Sequence, residues 1–413
     1  IKPNFNKERR LAVKKILLLG GSAQQVIAIE TAKRLGYYTV LCDYLPDNPG
    51  QNHADKFYMV STTEKEEVLK IAMNECVDGV LAYASDPAAP TAAYVAEKMG
   101  LPTSPYASVE ILCNKDRFRR FLRSHGLNAP ISCGYEGKEE AKADIGKYNF
   151  PIIIKPVDSS GSKGITVLHN PDNLDKAMEF AFQFSRSHRI IIEEFIEKKH
   201  PYLIGGDIFV ENGKIVLWGL LNCHRDNNVN PLVPVGKSFP LELSNKDIEN
   251  VKLTLQTLVD KLHIKSCGMN VELVVDENGK VWLIDVGPRN GGNMIPDLLG
   301  MIFNVDVVEM AIKSAMGESV DVITREGVPF YATYNLHTDR DGIYNGIEYS
   351  DEIEKYIVKK CEYKVPGDRI EYFDNAAKAL GIIFLKFSTQ KEMMGILGSM
   401  NRYINIKVGD SDD

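Results

Sequence analysis

Short apolar runs alternate with amphipathic stretches in the first part of the chain. The runs predict strands at residues 15–20, 38–42 and 79–83, and the stretches between them predict helices at residues 23–35 and 88–99. A glycine follows each of these helices, which is a typical helix stop. Strands that alternate with helices indicate βαβ units around a parallel sheet. We therefore predict an α/β domain at residues 14–112, after a tail at residues 1–13.

The middle of the chain mixes single strands, helices and hairpins, which is typical of an α+β region. Helices are predicted at residues 114–125 and 173–187, and strands at residues 152–155, 165–168 and 190–195. Residues 326–413 have the pattern of a separate small α+β unit. The chain is therefore predicted to be a multidomain protein of α/β and α+β class.

Two Asn-Gly dipeptides, Asn212-Gly213 and Asn278-Gly279, lie between apolar runs, and this is the strongest short signal for a β-hairpin. If the second dipeptide forms the two central positions of its turn, Glu272 lies directly opposite Asp285. The Cβ atoms of directly opposed residues are about 4.5–5.5 Å apart. The sequence thus predicts two carboxylates side by side on one hairpin.

Two such carboxylates repel each other, and a divalent cation between them reverses the sign of that interaction. Magnesium prefers oxygen ligands and usually takes one or two carboxylates together with substrate phosphates. Two alternatives stay open at this point. The hairpin end is solvated and both acids face water, or the acids share one proton and one pKa is raised.

A lysine and a small-residue loop are candidates for binding phosphate. Lys155 ends an apolar run, and a buried lysine is costly unless an anion pairs with it. The loop at residues 159–164 follows and offers backbone N–H groups and hydroxyls. The alternative for this loop is an ordinary surface hairpin. The sequence G-x-x-x-x-G-K-[ST] is absent from the chain, so the loop is not a Walker A motif.

Arg289 follows the second carboxylate, and Gly291-Gly292 precedes a predicted helix at residues 294–301. A guanidinium is always charged and forms a rigid fork of donors that suits a phosphoryl oxygen. Free N–H groups at a helix start also favour anions. A surface salt bridge is the alternative for Arg289.

Composition narrows the class of protein. The 413 residues carry a formal net charge of −7, which does not indicate nucleic-acid binding. The seven cysteines form no C-x-x-C pair, which argues against a structural zinc site and a disulfide framework. No signal peptide and no apolar run long enough for a membrane span are seen. We expect a cytoplasmic protein. The turn at Gly20-Gly21 lacks the G-x-G-x-x-G spacing, which disfavours a nicotinamide site.

In this order along the chain, the motifs resemble those of the ATP-grasp superfamily. They are Asn114-Lys115 before a helix, the strand at residues 153–155, the loop SSGSKG at residues 159–164, IIEE at residues 191–194 and the acid–turn–acid–Arg segment. The resemblance implies a Rossmann-like pre-ATP-grasp domain at residues 14–112, a two-lobed ATP-grasp domain at residues 113–200 and 201–325, and a small C-terminal α+β subdomain at residues 326–413. The segments 237–240 and 287–317 are most similar to the L-amino-acid ligase branch.

The resemblance also implies roles for single residues, with ATP and Mg²⁺ as cofactors and Mn²⁺ as an alternative metal. The implied phosphate-binding and lid residues are Lys115, Lys155, Ser159, Ser160, Gly161, Ser162 and Gly164. The implied adenine-binding residues are Glu193, Glu194 and Ile196. The implied metal ligands are Glu272 and Asp285, and the implied catalytic residues are Arg289 and Lys155.

Two departures from the family pattern stand out. Gly287 occupies a position where the family usually has a metal-binding asparagine. Asn290 or Asn293 is a candidate replacement, or the second metal binds weakly. An insert at residues 198–204 delays Gly206-Asp207, which leaves the role of Asp207 as a ribose ligand in doubt.

The resemblance leads us to expect a ligase that phosphorylates a carboxylate and couples the acyl phosphate to an amine. Amino acids are candidate substrates, and Arg225 and His224 are candidate pocket residues. One alternative is phosphorylation of bicarbonate or carbamate, and another is a nucleotide-binding protein without catalysis. The expected partners are small-molecule carboxylates and amines, with no nucleic acid and no membrane, and a homodimer is left open.

Overall fold

The computed structural model describes residues 13–159, 162–320, 322 and 329–409. The expectations for the N-terminal tail up to residue 12, and for Ser160 and Gly161 of the small-residue loop, lie outside these residues.

The N-terminal region forms a parallel sheet flanked by helices, as predicted. Its elements are β1 (Lys15–Leu19), α1 (Val26–Arg34), β2 (Tyr38–Asp43), β3 (Lys56–Met59), α2 (Lys65–Glu75), β4 (Gly79–Leu81), α3 (Ala89–Met99) and α4 (Tyr106–Leu112). The strand order is β3-β2-β1-β4, and all three pairings are parallel. Consecutive β1 residues are buried from Ile16 to Leu19, because helices cover both faces of the sheet.

The next region is a four-stranded antiparallel sheet in the order β5-β8-β6-β7. Its elements are α5 (Lys115–Ser124), β5 (Ser132–Tyr135), α6 (Lys138–Asp144), β6 (Ile152–Pro156), β7 (Thr166–Leu168), α7 (Leu174–Gln183) and β8 (Ile190–Glu194). The Asn114 side chain accepts a hydrogen bond from the Arg117 backbone N–H and so caps α5. This cap places Lys115 at the first helical position.

An eight-stranded sheet forms the largest layer of the molecule. Its first part contains β9 (Leu203–Glu211), β10 (Lys214–Asp226), β11 (Asn230–Phe239), β12 (Cys267–Val275) and β13 (Val281–Gly287), with helices α8 (Asn245–Lys261), α9 (Ile295–Phe303) and α10 (Val307–Ala315). The C-terminal elements are β14 (Phe330–Leu336), β15 (Gly342–Tyr349), α11 (Asp351–Glu354), β16 (Ile357–Glu362), β17 (Arg369–Ile370), β18 (Gly381–Phe387), α12 (Gln390–Leu397) and β19 (Ile404–Gly409).

The large sheet has the order β13-β12-β9-β10-β11-β14-β18-β16, and β17-β15-β19 form a small sheet beside it. Three C-terminal strands therefore extend the large sheet, and the expected boundary at residue 325 does not separate two sheets. The join is the antiparallel pairing of β11 with β14 from Gly236↔Tyr334 to Phe239↔Tyr331. Hydrogen bonding across that pair makes the two regions one structural layer.

The two predicted Asn-Gly hairpins have different turns. In the β9–β10 hairpin, Glu211 pairs with Lys214, and Asn212 and Gly213 have φ of +50° and +78°, which is the predicted two-residue turn. In the β12–β13 hairpin, the Asp276 N–H donates to the Lys280 carbonyl, so the loop has three residues. The two-residue turn predicted there is wrong.

Candidate functional site

Glu272 and Asp285 are direct cross-strand partners on β12 and β13, as predicted. The three-residue loop alone would have shifted their register by one position. A β-bulge between the pairs Glu272↔Asp285 and Leu273↔Leu283 leaves Ile284 unpaired and restores the register. Both acids line a cavity of about 1370 Å³ between the four-stranded antiparallel sheet (β5-β8-β6-β7) and the large sheet.

The bulge also changes which side chains reach the cavity. Successive residues of a regular strand point to opposite faces. At the bulge, the neighbours Ile284 and Asp285 both line the cavity. An apolar side chain and a carboxylate therefore lie next to each other at one wall of the site.

A buried arginine binds this bulge, and sequence reasoning missed it. Arg119 Nη1 donates to the Leu283 carbonyl at 3.1 Å and Nη2 to the Ile284 carbonyl at 2.6 Å. β13 is an edge strand, so these carbonyls have no neighbouring strand to bind. On α5, Arg119 lies four residues after Lys115, on the same helix face, and this spacing is the signal that could have identified it.

Arg119 also begins a buried chain of charges. Its Nε lies 2.7 Å from Glu193 Oε1, and Lys155 Nζ lies 2.6 Å from Glu193 Oε2. Burial alone would raise the pKa of Glu193, but the charges of Arg119 and Lys155 outweigh it and lower that pKa. Burial lowers the pKa of the Lys155 amine, so its charge depends on anions around it. This chain fixes Lys155 at the cavity wall.

Lys115 faces the metal-candidate carboxylates. Its Nζ lies 3.2 Å from Asp285 Oδ2 and donates to the Ser159 carbonyl at 3.0 Å. Burial raises the pKa of Asp285, but Lys115 and Lys155 outweigh this effect and hold the pKa below its usual value. Asp285 therefore remains a carboxylate at neutral pH. The shared-proton alternative is not favoured by these contacts.

The donor set fits magnesium bound with phosphate. The described residues contain no group of three or more His, Cys, Asp or Glu side chains arranged to hold a metal ion. The two opposed carboxylates of Glu272 and Asp285 supply hard oxygen donors, and two lysine amines face the same cavity. Magnesium characteristically completes such an incomplete set with phosphate oxygens and water.

The predicted loop and adenine residues lie around the same cavity. Ser162, Glu193, Glu194 and Ile196 line it. Ser162 Oγ donates to the Leu232 carbonyl at 3.1 Å, which ties the loop to the large sheet. Two other described residues of the loop, Ser159 and Gly164, make different contacts: the Ser159 carbonyl accepts from Lys115, and an added Cβ at Gly164 would meet Phe184 and Pro156 at 3.0–3.1 Å.

Arg289 is placed differently from the other predicted residues. It is not among the side chains that line the large cavity. Its Nε and Nη2 bind Asp86 Oδ1 and Oδ2 at 2.8 and 2.5 Å. Asp86 follows β4 of the N-terminal sheet and was not identified from the sequence. The surface salt bridge considered for Arg289 is thus a largely buried one, with 14% of the arginine side chain exposed.

Asp207 and the asparagine candidates lie outside the cavity lining. Asp207 is fully buried, and both its oxygens accept from the Gly291 N–H at 2.8–2.9 Å. Asn270 Nδ2 donates to it at 2.9 Å. Burial raises the pKa of Asp207 despite these hydrogen bonds. Asn290 is buried beside Asp207. The three atoms nearest to a Cβ built on Gly287 belong to Asp86 and Arg289, so neither Asn290 nor Asn293 takes the place of a side chain at residue 287.

The two residues considered for the substrate pocket also lie at this cavity. Arg225 and His224 both line it. His224 Nε2 lies 2.8 Å from Ser238 Oγ, and burial, followed by the charges of Arg225 and Lys237, lowers the pKa of His224 to about 4. His224 is therefore neutral at pH 7. Lys237 is buried with its Nζ 2.8 Å from Cys223 Sγ, and Cys223 also lines the cavity.

Comparison with known proteins identifies similar chains. Residues 148–297 match the family model described as the ATP-grasp domain. The carbamoyl phosphate synthase large chain of Thermotoga petrophila is 24% identical over 310 residues, which are 74% of this chain and 28% of that one. This chain therefore spans less than a third of the length of that curated relative.

Two solved structures have the same fold. The L-amino acid ligase from Bacillus licheniformis matches with a TM-score of 0.81 at 19% identity, over 96% of this chain and 99% of that one. The phosphoribosylglycinamide synthetase from Anaerococcus prevotii matches with a TM-score of 0.73 at 21% identity, over 96% and 100% of the two chains. In the described ranges, no helix has the length and apolar character needed to cross a membrane.

Proposed function

Since this chain belongs to the ATP-grasp superfamily through its domain at residues 148–297, we propose that it is an ATP-dependent carboxylate–amine ligase. The observation that carries the proposal is the direct opposition of Glu272 and Asp285 in a cavity that Lys115 and Lys155 also line. Two carboxylates opposite two amines suit a magnesium-bound triphosphate, because the carboxylates can bind the magnesium ion and the amines can bind the phosphate oxygens.

The residues have separate tasks in this proposal. Lys115 and Lys155 bind the phosphates and neutralise the charge that spreads over the transferred phosphoryl group. Glu272 and Asp285 hold magnesium, which when bound screens the phosphate oxygens. Glu193, Glu194 and Ile196 border the adenine. The γ-phosphoryl group passes to a substrate carboxylate and ADP leaves; an amine then attacks the acyl carbon and phosphate leaves as the amide forms.

The loop at residues 159–164 acts as the lid of the site. An acyl phosphate is hydrolysed if water reaches it, and a closing loop excludes water. The contact from Ser162 to the Leu232 carbonyl connects the two walls of the cavity and supports this role. Arg289 is proposed to steady the acyl phosphate.

Amino acids are the proposed substrates. Arg225 contacts the carbonyl of its neighbour His224 through Nη1, and its remaining donors are suited to clamp a carboxylate. Neutral His224 beside it adds no second charge. The fold-level match to an L-amino acid ligase over 96% of this chain agrees with this substrate class.

The second candidate is phosphorylation of bicarbonate or carbamate. The sequence similarity to a carbamoyl phosphate synthase large chain favours it. A third, non-catalytic reading is supported only by the glycine at residue 287. Mn²⁺ in place of Mg²⁺, a cytoplasmic location and a homodimer are further proposals; light scattering tests the last one.

The test is ADP release from pairs of amino acids, with and without Mg²⁺, with Mn²⁺ in a parallel series and with bicarbonate in a third. We expect ADP only when a carboxylate, an amine and the metal are all present, together with an amide product in mass spectrometry. Bicarbonate-dependent ADP release without an amino acid supports the second candidate. ATP binding with no ADP under any condition contradicts ligase activity.

A further inference from the structure

Gly287 is a glycine because another residue fills the space of its side chain. A Cβ atom built on Gly287 would lie 2.7 Å from Asp86 Oδ1 and 3.4 Å from Arg289 Cζ. Real Cβ atoms do not approach an oxygen that closely, and Asp86 is a short side chain fixed by two hydrogen bonds. Any side chain at residue 287 would therefore push into the Asp86–Arg289 pair.

Gly287 belongs to the same face of β13 as the metal-candidate acid. It lies two residues after Asp285 and pairs with Asn270, just as Asp285 pairs with Glu272. The carboxylate that fills its side-chain space thus lies next to the proposed reaction site. That carboxylate comes from the N-terminal sheet, not from the hairpin.

The geometry of the pair orients the arginine. A guanidinium has five N–H groups. Asp86 accepts two of them and the Asn290 carbonyl accepts a third at 3.1 Å, so two remain for another ligand. The bidentate pairing fixes the plane of the guanidinium and therefore the direction of the two remaining N–H groups.

The loop that carries Asp86 is held in a strained conformation. Ala84 has φ of +50°, in the left-handed region that non-glycine residues rarely adopt. Next to it, the Tyr83 carbonyl accepts a hydrogen bond from Gln25 Nε2 at 2.9 Å. Backbone strain of this kind persists where surrounding contacts impose it, and it is concentrated at functional sites.

From the occupied space at residue 287, the bidentate pair and the strained loop, we propose that Asp86 is a positioning residue for Arg289. Its carboxylate takes the place of a side chain at residue 287 and aims the free edge of the guanidinium at the anionic intermediate. The N-terminal region is thereby part of the active site. This inference rests on the proposed ligase function.

The test moves the carboxylate from one strand to the other. Asp86→Ala removes it, Asp86→Ala/Gly287→Asp places a carboxylate in the vacated space, and Gly287→Asp alone crowds two carboxylates together. Asp47→Ala, at an exposed aspartate of the same region, is the matched control. kcat, the KM for ATP and the thermal midpoint are measured for each chain.

We expect Asp86→Ala to lower kcat about 10- to 100-fold, since small displacements of a catalytic group have effects of that order. The KM for ATP changes less than about threefold, because the triphosphate is bound by other residues. In the double variant, log kcat should recover by at least about a third of the difference between the parent and Asp86→Ala. Gly287→Asp alone is impaired, and Asp47→Ala equals the parent.

Two results overturn the proposal: an unchanged kcat in Asp86→Ala, or a loss that Gly287→Asp does not relieve. If the parent chain releases no ADP with any substrate, the proposed function fails by itself. The coupling between Asp86 and Arg289 is then tested by the thermal midpoints of Asp86→Ala, Arg289→Ala and the variant that combines both substitutions. Additive effects on the thermal midpoint, showing no coupling, would also overturn the inference.

Discussion

The β9–β10 and β12–β13 hairpins of the large sheet carry the same tetrapeptide, Glu-Asn-Gly-Lys, at residues 211–214 and 277–280, and form different turns from it. In the first, Glu211 and Lys214 pair and enclose a two-residue loop. In the second, Asp276 pairs with Lys280, so the loop also includes Glu277 and has three residues. The tetrapeptide alone therefore does not specify the turn.

The residue before the tetrapeptide accounts for the difference. It is Val210 in the first hairpin and Asp276 in the second. Asp276 Oδ1 accepts from the N–H groups of Asn278 and Lys280, and its Oδ2 accepts from Trp282 Nε1, all at 2.9 Å. A valine cannot accept these bonds. The carboxylate thus stabilises the longer loop, and Asn278 has no positive φ in it.

The position of each hairpin in the sheet adds a second difference. β9 and β10 lie in the interior, whereas β13 is an edge strand. The carbonyls on that edge that have no strand partner accept hydrogen bonds from side chains. Asn128 Nδ2 donates to the Val281 carbonyl, and Arg119 donates to those of Leu283 and Ile284. The shape of the β12–β13 hairpin therefore depends on the side chains that cover its edge as well as on its turn.

The largest effect is expected on ADP release, from a change at Asp285, because the β12–β13 hairpin carries the proposed metal ligands and the β9–β10 hairpin carries none. Asp285→Asn should lower ADP release about 100-fold or more, because it removes a charge that stabilises the phosphoryl transfer site. Initial-rate assays at saturating Mg²⁺ measure it. Glu277→Gln, which removes an exposed carboxylate from the tip of the same hairpin, is the control and should turn over like the parent. Near-parental turnover of Asp285→Asn refutes the metal assignment.

The next effect is on stability and tests the edge contact. Arg119→Met should lower the free energy of unfolding by about 3–5 kcal/mol, because it removes one of the two cations that pair with the buried Glu193 carboxylate and leaves two carbonyls without their donor. Urea denaturation measures this. Arg120→Met, at the neighbouring exposed arginine paired with Asp116, should cost less than about 1 kcal/mol. Equal losses in the two variants contradict the role given to Arg119.

A smaller effect should follow from the residue that selects the longer loop. Asp276→Ala should cost about 1–3 kcal/mol at pH 7, because three donors lose a charged acceptor. Burial alone would raise the pKa of Asp276, but its hydrogen bonds outweigh burial and hold that pKa below 3.8. The parent's advantage is therefore complete above pH 3.8 and lost as the pH falls through the lowered pKa. Denaturation from pH 7 down to pH values well below 3.8 measures it; an advantage that stays constant over this whole range contradicts the assignment.

The smallest effect compares the two asparagines directly. Asn212→Ala should cost about 1 kcal/mol, because alanine is disfavoured at φ of +50°. Asn278→Ala should change stability by less than about 0.5 kcal/mol, since that position needs no left-handed conformation. Thermal denaturation of the pair suffices. Equal costs at both positions indicate that the two turns are alike in solution.

Much of the fold could be predicted from local patterns. The parallel N-terminal sheet follows from alternating apolar runs and glycine stops, and α5 begins at Lys115 because Asn114 caps it. The opposition of Glu272 and Asp285 was also predicted, although two errors cancelled: the loop is one residue longer than expected, and the bulge at Ile284 restores the register. A period-two pattern cannot reveal such a bulge, because it carries no information about contacts on the outer edge of the strand, where Arg119 binds the carbonyls of Leu283 and Ile284.

The sequence alone specifies the order of elements, the acids that meet on β12 and β13, and the lysine at the penultimate position of β6, since each depends on neighbours in the chain. Only the tertiary structure decided which charges pair. Glu193 binds Arg119, 74 positions away, and Arg289 binds Asp86, 203 positions away. The reason is physical: a buried charge must find a partner in space, and the partner's position depends on how the sheets pack.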